Sequence, residues 1–258
     1  MQKNYTEGCF VSVRYGKENN VRDWRDVVSL SQEEGKEAID KLLEQFNSNS
    51  HNNGFFSETD IVDCGQQRGF VLNDKELYYM FFENLRELYE KYKDQNFTNG
   101  NYINTAIKAT IEQYAGGKGV DRDKRIKLTT RVLTDGDIKY PSIAMQKGQN
   151  CFYCTERAAI SHNLWLLSGA TSYFCLTDSD NFGQEEDVYK NDTHNFTIVA
   201  YDDRFILYDL AMDNFCQLPN DCIDNLLSGQ GLQVTNVNNP HVKNPGIYAK
   251  NVNMIKEI

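Results

Sequence analysis

The chain has 258 residues and a formal net charge of −10, with 40% apolar and 12% aromatic residues. That length and apolar content are enough for a substantial folded core and exclude general disorder. The acidic balance speaks against nucleic-acid or anionic-membrane binding, and no apolar run of about 18 residues offers a transmembrane helix.

Residues 9–15 alternate in the manner of a half-buried strand. Ser31 and Glu34 have the spacing of a capping box, which predicts a helix to about Phe46. Residues 47–54 read as a polar loop. Asn73, Asp74 and Glu76 open a second helix through Tyr92, with Leu77, Phe81, Leu85 and Leu88 on one face. A third helix is expected over 103–114. Gly116, Gly117, Lys118 and Gly119 lack the spacing of a phosphate loop and its Ser or Thr, so the stretch to Lys127 reads as a mobile basic connector. Residues 127–134 read as a strand, with Asp135 and Asp137 in its turn. Residues 1–125 thus form a mainly helical N-terminal part, which can be integral to the same domain, and residues 126–258 form a mixed catalytic core.

Residues 154–169 have helical composition, and Gly169 stands where a left-handed C-terminal cap is expected. Cys154 falls at the N-terminus of that helix, where exposed N–H groups and the helix dipole favour a thiolate. Residues 172–177 should form a strand. The 16 residues from 178 to 193 carry six acids and one lysine, and a loop of that length suits a lid over a site. Its charge points to a basic or amine-bearing partner. Residues 219–227 suggest a short helix and 231–237 a further strand.

Residues 195–201 and 204–210 read as a hairpin turning at Asp202 and Asp203. A two-residue loop there sets Phe196 opposite Asp209 and makes His194 and Asp209 diagonal neighbours on one face, about 7–8 Å apart at Cα. A slip of one residue would put them on opposite faces. A thiol at a helix start, a histidine opening one strand and an aspartate closing the next supply nucleophile, base and orienting carboxylate. Cys154, His194 and Asp209 are therefore the candidate catalytic residues. Gln149 is the candidate oxyanion side chain, although helix N-terminal amides can serve alone.

Cys154-x-Glu156-x-Ala158 followed by Leu166, Leu167 and Gly169, then His194-x-Phe196 with Val199, then Asp209 at a strand end, resembles the transglutaminase-like cysteine enzymes. The spacing is also similar to that of arylamine N-acetyltransferases. The resemblance covers about a fifth of the chain. Phe152, Phe196 and Leu210 stand where such proteins often have Gly, Trp, and Pro or Thr. It implies an α+β fold, with an antiparallel sheet packed on the helix that carries the cysteine. It also implies an acyl-enzyme mechanism without cofactor or metal, acting on a peptide, protein or small amide. Water is the default acceptor, which favours a hydrolase (peptidase, amidase or glutamine deamidase); an amine acceptor gives a transglutaminase or acyltransferase.

Three other readings compete. Cys151 and Cys154 form a CxxC before a helix, the arrangement of thiol oxidoreductases and half of a zinc site, but no second CxxC exists. Cys151 could also act as a resolving thiol for Cys154. A binding domain that kept the fold without the chemistry is the third, and the intact triad argues against it. Seven cysteines without a small-domain framework, and an N-terminus without an apolar signal core, suit free thiols in the cytoplasm or export by a signal-independent route. His162 reads as a packing or surface residue.

Overall fold

The computed structural model describes residues 14–16, 23–58, 60–63, 69–72, 74–125, 127–128, 142–178, 193–227 and 232. Helices and antiparallel strands are segregated along the chain, as in an α+β fold. After a short strand β1 (Arg14–Gly16) come α1 (Trp24–Val28), α2 (Gln32–Ser48) and α3 (Ser50–Asn53). The strand pair β2 (Ile61–Asp63) and β3 (Gly69–Val71) leads to α4 (Lys75–Tyr92) and α5 (Asn99–Ala115). The short α6 (Ile143–Gln146) precedes α7 (Cys154–Leu167). Strands β4 (Thr171–Asp178), β5 (Thr193–Tyr201), β6 (Arg204–Asp209) and β7 (Asn214–Leu218) follow, and then α8 (Cys222–Leu227).

Local chemistry sets the helix limits. The Ser31 capping box forms as expected: the Glu34 amide donates to Ser31 Oγ, and the Ser31 amide donates to Glu34 Oε2. Asp74 caps α4 through the Glu76 amide, and Thr98 caps α5 through the Asn101 amide. The stretch read as a polar loop after α2 instead contains α3. Asn53 explains the difference, because its Nδ2 donates to Phe46 O and its Oδ1 accepts from the Phe55 amide. Side-chain bonds to nearby backbone fold the polar run back on itself.

Residues 116–125 also differ from the connector expected there. The Gly148 amide donates to Tyr114 O, and the Asn150 and Asp121 amides donate to Ala115 O and Asn150 O. Gly116 has φ +86°, and a Cβ there would meet Gly148 backbone atoms at 2.9 Å. Its glycine permits a close approach of two chain segments. Lys127 and Leu128, which open the strand expected over 127–134, are helical. The rest of that strand and its turn lie outside the described residues. So do most of the 9–15 and 231–237 strands and the loop interior, 179–192.

The sheet runs in the order β1-β4-β5-β6-β7, with every neighbouring pair antiparallel. Successive side chains turn to opposite faces. Phe174, Val199 and Tyr208 join one core with Trp165, Leu166 and the apolar faces of α1, α2, α4 and α5. Tyr173, Cys175, Phe196, Ile198 and Leu207 join a second, smaller core with Cys222 and Leu226 of α8.

Helix α7 lies in the larger core. All its residues from Thr155 to Leu167 are buried, so it has no solvent face. It also carries polar groups inward, and each of those described below finds a partner, as burial demands. Asn163 exchanges two hydrogen bonds with the Phe56 backbone, 107 positions earlier, and a third with Tyr78 Oη. Thr155 Oγ1 donates to Asn195 Oδ1 at 2.7 Å, and Thr197 Oγ1 donates to Ala158 O at 3.2 Å. The helix therefore runs alongside β5 and starts at the end where His194 stands.

Candidate active site

The β5–β6 hairpin has the register expected from its turn. Thr197 faces Tyr208, and the pairing continues to Tyr201 opposite Arg204. Asp202 and Asp203 have φ values of +50° and +58°. Two successive left-handed residues match the right-handed twist of a hairpin, and aspartate tolerates that region better than most side chains.

His194 and Asp209 meet as diagonal neighbours: His194 Nε2 lies 2.6 Å from Asp209 Oδ2. The carboxylate is fixed from its other side, where Oδ1 accepts from the Ala211 and Met212 amides at 3.0 and 3.2 Å. Asp209 is 1% exposed and His194 8%. The imidazole also lies 6.3 Å from the Phe196 ring, nearly parallel to it. Burial works against a charged imidazole, but the charge and hydrogen bond of Asp209, with those of Cys154, raise the His194 pKa to about 10. Because Asp209 occupies Nε2, the nitrogen left for Cys154 is Nδ1.

Cys154 is the first residue of α7 and is partly exposed. Its neighbours anchor the helix start. Glu156 Oε2 accepts from the Tyr153 amide at 3.0 Å, and its Oε1 pairs with the Arg125 guanidinium, with both side chains buried. Arg125 also donates to Gln146 Oε1, and its guanidinium lies over the Tyr153 ring at 5.3 Å. In the sequence Glu156 stands out only within the Cys-x-Glu motif, and Arg125 does not stand out at all. The signal was the Cys-x-Glu spacing, but the cation that answers the glutamate comes from a stretch read as connector.

The other candidates differ in burial and partners. Gln149 is exposed, in the turn after α6. Cys151 is fully buried, with Sγ 3.8 Å from Gln146 Oε1, and burial raises its thiol. The two cysteines of the CxxC thus have different environments. His162 is a packing residue: Nε2 donates to Gly54 O and Nδ1 accepts from Ser172 Oγ, each at 2.9 Å. Among the described residues, no three His, Cys, Asp or Glu side chains converge so as to hold a metal ion. No described helix is long and apolar enough to cross a membrane.

No family model, curated protein or solved structure matches this chain.

Proposed function

We propose that this chain is a cysteine-dependent acyl-transfer enzyme of transglutaminase-like type, with Cys154 as nucleophile, His194 as base and Asp209 as orienting carboxylate. In this reading the antiparallel sheet packs on the helix that presents the cysteine. The observation that carries it is the placing of His194 between a buried carboxylate on Nε2 and a helix-start thiol. A histidine that only packs needs neither partner.

In the reaction, the Cys154 proton passes to His194 Nδ1 and the sulfur attacks an amide or ester carbonyl carbon. Asp209 holds the ring so that Nδ1 faces the sulfur and balances the imidazolium charge. Amides of the first turn of α7 hold the developing oxyanion. His194 then returns the proton to the leaving amine or alcohol, and the thioester goes to water. A hydrolase of amide bonds is the simplest outcome; an amine in place of water would give a transglutaminase or acyltransferase. The acidic run before His194 in the sequence suits a basic or amine-bearing substrate.

Intact mass spectrometry tests the proposal. The full chain is incubated with a panel of peptide amides, glutamine peptides and activated esters, with and without primary amines. A Cys154-linked acyl adduct that decays in water or passes to the amine is the expected result. An adduct level that is the same in Cys154→Ala would overturn the assignment.

A further inference from the structure

The residues that follow Cys154 and His194 are bonded to each other. Thr155 donates from Oγ1 to Oδ1 of Asn195 at 2.7 Å. Both residues are buried, 5% and 1% exposed. Asn195 is also tied to β4, where its Nδ2 donates to Cys175 O at 3.4 Å. A second rung joins the same helix and strand further along: Thr197 Oγ1 donates to Ala158 O at 3.2 Å.

Asn195 and Thr197 share the face of β5 that looks toward α7. His194 shares the opposite face with Phe196 and Asp209. In the triad reading the thiol and the ring therefore meet around the end of β5. Their separation then depends on where the helix start stands along the strand. Glu156 holds the other neighbour of Cys154 by accepting from the Tyr153 amide at 3.0 Å, but that bond is internal to the helix start. The Thr155–Asn195 bond crosses from helix to strand, and it does so beside both reacting groups. The Thr197 rung crosses about one helical turn away.

We propose that Thr155 and Asn195 are positioning residues whose hydrogen bond sets the start of α7 against β5, and with it the approach of Cys154 to His194. The inference rests on the Cys154–His194–Asp209 reading above. Neither side chain takes part in proton transfer: the thiol proton still goes to His194, and the sulfur–carbon bond still forms at Cys154. A hydrogen bond between neutral groups contributes only modestly to stability, so the fold should survive its loss. The chemistry is more sensitive, since a displacement of about 1 Å at the reacting groups can cost about 10²-fold in rate.

The test treats the full chain with 4-nitrophenyl acetate and follows acetylation of Cys154 by intact mass and peptide mapping. Thr155→Val keeps the shape and removes the hydroxyl. Its rate at saturating ester should fall by about tenfold to 10²-fold, with the half-saturating concentration within about twofold of wild type. Thr155→Ser restores the donor and should recover most of the rate. Thr197→Val makes the same chemical change on the other rung; it should lower the melting temperature by a similar amount and leave acetylation within about twofold. The proposal is overturned if Thr155→Val keeps the wild-type rate, if Thr155→Ser is as slow as Thr155→Val, or if Thr197→Val is equally slow. If Thr155→Val does not fold, Asn195→Ala removes the acceptor instead: a slowed acetylation supports the proposal, and a wild-type rate overturns it. His194→Ala separates the two hypotheses. A wild-type rate there, or no Cys154 adduct in the wild type, overturns the triad reading and this proposal with it. A slow His194→Ala beside an unaffected Thr155→Val overturns this proposal alone.

Discussion

The middle and the start of α7 each bury a histidine, and their surroundings are opposite in kind. His162 sits between a carbonyl and a hydroxyl, with Asn163 beside it bound to the Phe56 backbone. Those partners are neutral, and the bonds join distant parts of the chain. His194 sits between a carboxylate and a thiol, at the one end of the helix that reaches solvent. The difference teaches that a buried histidine alone says little. Partners that can exchange charge or a proton with it are what single out a candidate site.

The comparison can be broken in several ways. Cys154→Ser should abolish acyl-adduct formation while leaving the thermal melt unchanged; residual turnover near wild type would move the chemistry elsewhere. Asp209→Asn should lower turnover by about 10²–10³, less than the loss in a serine triad because a thiol needs less help from its base. Near-normal turnover with a normal melt would remove Asp209 from the triad.

In the neutral region the effect should appear in folding. Asn163→Ala removes both side-chain hydrogen bonds to the Phe56 backbone and should cost about 3 kcal/mol in denaturant unfolding. Activity per folded molecule should hold; a large fall in it would mean that the two regions are coupled.

Proton linkage gives a smaller, graded signal. The folded-state pKa of His194 is raised, so the native protein holds that proton more tightly than the unfolded chain. That share of stability is whole below about pH 6.5 and is lost as pH climbs through about 10. Melting temperatures of wild type and Asp209→Asn should therefore converge with rising pH over that window; parallel curves would deny the pair its charge. The smallest effect is expected from Cys151→Ser under reducing conditions, where turnover should stay within about twofold, since a buried thiol with a raised pKa is a poor nucleophile. Loss equal to that of Cys154→Ser, with disulfide exchange in the wild type, would revive the oxidoreductase reading.

Much of the site's frame was legible because it is local. The Ser31–Glu34 box, the Asp74 cap, the Gly169 stop and the Asp202–Asp203 turn each act within a few residues, and the hairpin register follows from the turn alone. What stayed hidden depends on distance. Asn163 reads as an ordinary helix residue until Phe56, 107 positions away, is placed beside it. Glycines 116 and 117 suggest freedom in the sequence, yet Gly116 serves contact with Gly148. The charges of Arg125 and Arg157 look solvated in a sequence with many surface ions, and only the fold takes them inside.

The turn at Asp202 and Asp203 sits at the far end of the hairpin from His194 and Asp209, yet it governs whether they meet. Side chains in a strand alternate with a period of two, so the pairing has parity. A hairpin that grew by two residues at its tip could keep both groups on one face. Growth by one residue would turn the carboxylate to the other face unless a bulge absorbed it. Among descendants of this sequence with a working site, length changes at that tip should come in even steps.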